Sequence, residues 1–199
     1  MRQRDITRRE YAAWLSARSQ VYAVLETRLD AALVCDNLAN PILRLVDNVR
    51  LRRLPAIRED LLALVGPECP QFPSSSSAGR YASRISEVAD SAHLLALHLW
   101  VRYAADLAGA QFLKSALAQG LGVAAVDGRL PGLLYLEFGT AGQAIQELED
   151  LHSGIDAIVE EGHVDTRGIG EMLNEARHAF ELDLELNDEF DPHRSRSKL

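Results

Sequence analysis

The 199-residue chain has few of the residues that specialised scaffolds require. Its two cysteines, Cys35 and Cys69, cannot build a disulfide framework or a cysteine-rich zinc site, and this usage fits a reducing cytoplasm. No apolar run approaches the roughly 20 residues that cross a bilayer. The residues after Met1 lead into no signal-peptide core. We therefore expect a cytoplasmic protein without a membrane anchor.

Positive charge is also scarce. The chain carries 21 Lys and Arg against 29 Asp and Glu, which gives a net charge of −8 at pH 7. Nucleic acid is not an expected partner, because its binding needs a surplus of basic residues. An anionic ligand would need a local cluster of basic side chains. Histidine is absent before His93, so the first part of the sequence offers no imidazole ligand for a metal.

No segment shows the alternation of apolar and polar residues that is typical of strands, and no internal repeat is visible. The fold is therefore expected to be all-α, with one domain over residues 1–190 and a polar tail at 191–199. Apolar spacing, capping residues and chain breakers predict helices at residues 8–33, 55–65, 80–88, 91–118, 140–160 and 165–189. Asn40-Pro41 and the Pro- and Ser-rich residues 66–79 are predicted to be irregular.

The most unusual stretch is residues 93–114. Its first half is apolar nearly all round, which indicates a buried helix. In its second half, four small residues share one helix face: Ala104, Ala105, Ala108 and Gly109. A face with so little side chain lets a flat group approach the backbone. Asp106 lies in this segment, one turn after Arg102. Two interpretations remain: close helix packing beside an exposed Asp–Arg pair, or a surface that admits a ligand.

Four blocks of the sequence resemble the heme oxygenase family and occur in the family's order. Residues 102–111 (RYAADLAGAQ) resemble the family's distal-helix pattern RYLGDLSGGQ. Further blocks at residues 21–26, 58–67 and 175–180 resemble parts of its other helices. The resemblance covers most of residues 7–190 and implies a single-domain, heme-oxygenase-like helical bundle.

The resemblance also implies a reaction and a set of site residues. The reaction is oxidative cleavage of heme to biliverdin, CO and iron, with electrons from a reductase or ferredoxin. The implied catalytic residues are Asp106, Arg102 and Tyr22, and the implied heme contacts are Ala105, Gly109 and Phe180. Asp106 would order the water that supplies protons. On residue type alone, Tyr22 and Phe180 would be core residues, and Asp106–Arg102 a surface ion pair worth at most about 1 kcal/mol.

The sequence departs from the family pattern at four places. The family's iron-binding His lies on a helix before the block at residues 21–26, so that helix is expected to be missing unless the true start lies upstream. Ala105 replaces a glycine, and its methyl group would crowd the heme. The turns that match the family's basic propionate clamp, residues 146–150, are neutral or acidic. Asp183 stands where the family has Asn. Heme binding in the family's manner is therefore expected to be impaired, and the iron ligand is unknown.

A non-catalytic family member that binds a tetrapyrrole or a protein is the second hypothesis. Loss of the first family helix would expose apolar surface on Tyr11, Trp14 and Leu15. A protein partner or a second copy of the chain would then be expected to cover that surface.

A non-heme di-iron oxidase is the third hypothesis. The Glu-x-x-His step of di-iron bundles occurs at residues 149–152 and 175–178, although chance alone would give about one such pair. Glu26 and Asp106 are candidates for the further carboxylate ligands. His98, in the apolar half of the central helix, is instead expected to be a hydrogen-bonded core residue.

Overall fold

A computed structural model describes residues 6–35, 40–67 and 72–191, with the side chain of Gln111 excepted. The helices are α1 (Arg8–Cys35), α2 (Pro41–Val46), α3 (Leu54–Val65), α4 (Ser76–Val88), α5 (Ala92–Leu121), α6 (Ala141–Glu160) and α7 (Thr166–Glu189), with a 3₁₀ turn at Leu134–Leu136. Strand pairing in the described ranges is limited to one isolated bridge between Val126 and Arg129. The all-α prediction is therefore confirmed. Cys69 and residues 192–199 of the predicted tail lie outside the described residues.

Three of the helix starts follow directly from capping residues. At α1, Thr7 and Glu10 form a capping box, in which the side chain of each accepts from the other's backbone N–H, at 3.2 and 2.8 Å. Thr140 and Gln143 form the same motif at α6. Asp165 accepts from the backbone N–H of Gly168 at 2.8 Å and starts α7, as predicted.

Two helices begin where irregular chain was predicted. The side chain of Asn40 accepts from the backbone N–H of Ile42, and Pro41 fills the first helical position, so this pair begins α2 rather than only breaking the chain. Ser75 caps Ala78 at 3.0 Å, so α4 begins at Ser76 instead of residue 80. In both places, residues interpreted as breakers act as N-terminal caps.

Helix α5 is the centre of the bundle and contacts α1, α2, α4, α6 and α7. Its apolar first half is buried, as predicted. No helix in the described ranges is apolar and long enough to span a bilayer.

The expectation that apolar side chains of α1 are exposed is wrong. Tyr11, Trp14 and Leu15 are 1, 7 and 0% exposed. The rings of Tyr11 and Trp14 stack at 5.7 Å, and the edge of Tyr135 covers Trp14 at 5.8 Å. Because the chain covers this surface itself, the reason for a partner or second copy there is removed.

A buried carboxylate fixes the 3₁₀ turn. Asp60 of α3 accepts from the backbone N–H groups of Leu134 and Tyr135, both at 2.7 Å. Burial raises the pKa of Asp60 to about 6. The contact holds the Tyr135 ring between α1 and α5, where the candidate site lies.

Candidate functional site

A cavity of about 320 Å³ lies between α1, α5, α7 and the 3₁₀ turn. On α5 it is lined by Ala105 and Gly109, and a methyl group added at Gly109 would meet only Leu113, at 3.8 Å. The predicted face of small residues is divided, since Ala104 is buried and Ala108 faces outward. Ala105 and Gly109, in the middle of that face, border the cavity. This volume lies at the lower end of the range for small-molecule sites.

Asp106 lies at the wall of this cavity and accepts hydrogen bonds from three side chains. Its Oδ1 atom accepts from Arg102 Nη2 at 2.6 Å and from the Tyr135 hydroxyl at 2.7 Å. The Tyr22 hydroxyl donates to Oδ2. The predicted grouping of Asp106, Arg102 and Tyr22 is therefore present. Arg102 and Asp106 are 1 and 8% exposed, so the interpretation as a surface ion pair is wrong.

The two phenols are fixed as hydrogen-bond donors. Burial, and then the negative charge of Asp106, raise the pKa of Tyr22 well above its ordinary value of 10. Burial also raises the pKa of Tyr135. Both hydroxyls stay protonated at neutral pH, so they hold the Asp106 carboxylate in one orientation.

A second carboxylate continues this network on α7. Asp183 Oδ1 lies 2.5 Å from Arg102 Nη1 and 3.3 Å from Arg18 Nη1. Burial disfavours the charged form of Asp183, but Arg102 and Arg18 outweigh it and lower the pKa of this carboxyl group. Arg18, Asp183, Arg102 and Asp106 thus form a chain of alternating charges, here called the ion chain.

Neighbouring side chains hold Arg18 in place. Its Nη2 donates to Asn187 Oδ1 at 3.0 Å, and Trp14 Nε1 donates to the same atom at 3.1 Å. The guanidinium carbon lies 4.4 Å from the centre of the Trp14 ring. Sequence reasoning missed Arg18, Tyr135 and Asn187 as site residues.

The predicted heme contacts separate into two groups. Ala105 and Gly109 line the cavity, whereas Phe180 lies outside its lining and is 49% exposed. Phe180 and Leu184 flank Asp183 on α7, and Leu184 is 63% exposed. On α5, Phe112 is 80% exposed. The assignment of Phe180 to a heme wall stays a prediction, and the structure places this side chain at an open apolar surface.

Histidine and cysteine are absent from the described cavity lining. His98, on the same helix, is 0% exposed and its Nε2 lies 2.9 Å from Glu175 Oε1. Glu175 also pairs with Arg84, whose Nε lies 2.9 Å away. The prediction of a hydrogen-bonded core histidine is confirmed.

The di-iron hypothesis is wrong. Glu26 accepts from the backbone N–H groups of Arg53 and Leu54 at 2.6 and 3.1 Å, and Glu175 is occupied by His98 and Arg84. Across the part of the chain that the structure describes, no three His, Cys, Asp or Glu side chains come close enough to share a metal.

A family model matches nearly the whole chain. The model described as heme oxygenase matches residues 2–189. The chain belongs to the heme oxygenase family. Heme oxygenase 1 of Pongo abelii is 26% identical over 188 residues, which are 93% of this chain. The heme oxygenase of Rhodella violacea is 29% identical over 147 residues, which are 70% of this chain. The chain spans 61% and 59% of the lengths of these relatives.

Solved heme oxygenases have the same fold. Heme oxygenase-2 of Synechocystis, solved with heme and NO, is 24% identical, with a TM-score of 0.82 over 98% of this chain and 76% of that one. The heme oxygenase of Leptospira interrogans is 26% identical, with a TM-score of 0.76 over 91% of this chain and 83% of that one. The expected heme-oxygenase-like bundle is thereby confirmed.

Proposed function

We propose that this protein binds heme against α5 and α7 and takes part in its oxidative cleavage to biliverdin, CO and iron. One observation carries the proposal: a cavity over Ala105 and Gly109 opens beside Asp106, a buried carboxylate held by three donors. Membership of the heme oxygenase family and the fold shared with a heme-bound Synechocystis enzyme support it.

The described residues fit one face of a planar tetrapyrrole. Ala105 and Gly109 leave room for a ring near the backbone, and Phe112, Phe180 and Leu184 are exposed apolar side chains on the same two helices, α5 and α7. Covering such side chains with an apolar ligand is favourable, by about 25 cal/mol per Å² removed from water. These residues would hold the ring.

Heme bound there would supply the iron that activates O₂ and the ring carbon that is oxidised. The contribution of this chain is to hold and deliver protons next to that iron. Asp106 is the candidate proton-managing group, since its carboxylate can order a water molecule in the cavity. Tyr22, Tyr135 and Arg102 would act by orienting Asp106 rather than by contact with heme.

The acidic segment of α6 offers no propionate clamp. Glu147 bonds to Asn48 at 2.7 Å and to Arg50 at 2.9 Å, and Gln146 donates to Asp150 at 2.9 Å. These carboxylates would repel heme propionates. Among the described residues, the cavity lining contains no imidazole or thiolate, so a ligand for the heme iron would come from outside this lining.

Cleavage also requires electrons. A reductase or a ferredoxin in a reducing cytoplasm is the donor that we propose, as the family membership and the sparing use of cysteine support.

A hemin titration with and without imidazole tests the proposal. Imidazole is the chemical equivalent of a His side chain. We expect hemin to shift its Soret band on adding protein, and a verdin absorbance to grow once imidazole, reductant and O₂ are present. Gly109→Leu, which fills the cavity, should abolish both signals. Gly79→Leu is the matched control, because Gly79 lies on α4 with nothing within 4 Å of an added Cβ atom. The absence of a Soret shift with both the wild type and Gly79→Leu would overturn the proposal.

The lack of an imidazole in the cavity lining favours a second candidate, which is a family member that binds a tetrapyrrole without converting it. The same titration separates the two functions. A Soret shift with no verdin under any imidazole concentration would favour binding alone.

A further inference from the structure

The ion chain contains one charge that departs from the family pattern, the carboxylate of Asp183. Asp183 stands at the position of an asparagine, and Arg18 reaches it from α1 across a gap of 3.3 Å. Arg18 is 5% exposed, and the Asp183 side chain is 16% exposed. A carboxylate and a guanidinium buried this deeply require compensation by each other or by further charges.

We infer that Arg18 is a positioning residue for Asp106: by neutralising Asp183, it leaves Arg102 free to hold the Asp106 carboxylate. The expected effect of Arg18 on the rate of heme cleavage rests on the proposed function. The expected effect of Arg18 on the position of Asp106 does not depend on heme.

The geometry of Arg102 is the basis of the inference. One guanidinium nitrogen, Nη1, lies 2.5 Å from Asp183, and the other, Nη2, lies 2.6 Å from Asp106. Arg102 is therefore shared between two carboxylates, which between them carry one charge more than it can balance. Arg18 supplies the missing positive charge on the far side of Asp183.

Without Arg18, the cluster would contain two carboxylates and one guanidinium. Either Arg102 would move toward Asp183 and weaken its contact with Asp106, or Asp183 would take up a proton. Both outcomes change the group that is proposed to manage protons.

The remaining polar groups around the cluster cannot replace Arg18. Asn187 accepts from Arg18 and is neutral. Tyr81 of α4 and Tyr135 of the 3₁₀ turn have pKa values that burial raises, so they stay uncharged. Asp188 and Asp191, which also line the cavity, add negative charge.

A double-mutant cycle with Arg18→Leu and Asp183→Asn tests the inference. We expect Arg18→Leu to slow verdin formation about tenfold, equivalent to about 1.4 kcal/mol of activation free energy. Arg18→Leu/Asp183→Asn should recover to within about twofold of the wild type, because neutral Asn no longer competes for Arg102. Arg18→Lys, which keeps the charge, should also retain activity. Additive losses in the double variant, or no loss in Arg18→Leu, would overturn the inference.

A second readout uses the protein without heme, so it remains decisive if the proposed function fails. Carboxyl NMR titration should show that the pKa of Asp183 rises in Arg18→Leu, because one of the two guanidiniums that lower it is gone. The Tyr22 hydroxyl proton, which reports on its bond to Asp106, should shift in Arg18→Leu and return in the double variant. Unchanged signals in Arg18→Leu would show that Arg18 only packs.

A surface pair offers the matched control. Arg80 of α4 and Glu185 of α7 lie 2.7 Å apart, with side chains 55 and 51% exposed. The cycle with Arg80→Leu and Glu185→Gln removes an ion pair between α4 and α7, the helix that also carries Asp183, and leaves the ion chain intact. Neither the rate of verdin formation nor the Tyr22 signal should change.

Discussion

Helices α5 and α7 are joined by two polar contacts that differ in what surrounds them. His98 and Arg102 lie one turn apart on α5, and they meet Glu175 and Asp183, which lie two turns apart on α7. We call the first the upper contact and the second the lower contact. Both are buried, and each connects to a further arginine, Arg84 for the upper contact and Arg18 for the lower.

The two contacts differ in where their charges lead. The upper contact is sealed on the α5 side, since His98 is 0% exposed, and it continues to Arg84, whose side chain is 31% exposed. The lower contact ends at Asp106, on the wall of a cavity. The same kind of interhelical pair therefore secures the bundle in one place and orients a carboxylate at the wall of a cavity in the other.

Removing the upper contact should produce the largest loss of stability. Glu175→Ala leaves the buried N–H of His98 without an acceptor and Arg84 without its partner. We expect the free energy of unfolding to fall by about 3 kcal/mol, measured by urea denaturation. The Soret shift of hemin should not change, because Glu175 does not line the cavity.

Glu185→Ala is the control for this variant. It removes a carboxylate from α7 whose partner, Arg80, is half exposed, and should lower the free energy of unfolding by less than about 1 kcal/mol. Equal losses for the two variants would remove the distinction between a buried and an exposed pair.

Asp106→Asn, in contrast, should lower the rate of verdin formation far more than it lowers stability. Asn keeps the shape of the side chain but cannot carry the charge or exchange a proton. We expect verdin formation in the imidazole-supplemented assay to fall about 100-fold, at the lower end of general acid–base effects. Stability should fall by about 2 kcal/mol, which is less than in Glu175→Ala, because the amide oxygen still accepts a hydrogen bond although buried Arg102 loses part of its charge compensation. A rate within threefold of the wild type would show that Asp106 does not manage protons.

The burial of His98 could be predicted from the sequence, whereas its partner Glu175 could not. His98 lies in a run of apolar residues, which favours a buried histidine with a hydrogen-bond partner. The grouping of Asp106 with Tyr22 and Arg102 was predicted because a family resemblance pointed to all three residues. Position in the helix was therefore sufficient for His98, whereas the three site residues required the resemblance.

Arg18 and Tyr135 could not be predicted in the same way. Arg18 lies between Ala17 and Ser19, where an arginine is typical of a solvated helix face. Its burial depends on Asp183, which is far away in sequence. Tyr135 lies in a Gly- and Pro-rich stretch, and its place is set by the backbone bonds to Asp60. Pairings between distant segments leave no periodic pattern for a single sequence to show.

The pH dependence of stability offers a sharper test of the upper contact. Burial, as the main cause, lowers the pKa of His98 below its ordinary 6.5, so the folded protein keeps this ring neutral while the unfolded chain takes up a proton. The stabilising contribution is complete above pH 6.5 and is lost as the pH falls through the pKa of folded His98. The slope should be at most about 1.4 kcal/mol per pH unit. His98→Gln, which still donates to Glu175, should show a weaker pH dependence between pH 5 and 7 in urea denaturation.

The cavity itself is what separates the lower contact from the upper one, and Gly109→Ala tests it with a single methyl group. Glycine inside a helix costs about 1 kcal/mol relative to alanine, and the new methyl group would meet only Leu113, at 3.8 Å. The free energy of unfolding should therefore rise by up to about 1 kcal/mol, while the affinity for hemin falls because the methyl group occupies the cavity. Gly79→Ala on α4 should give a similar gain in stability with no change in hemin affinity. If both variants bind hemin as the wild type does, the glycine at position 109 does not serve the ligand, and the lower contact is as purely structural as the upper one.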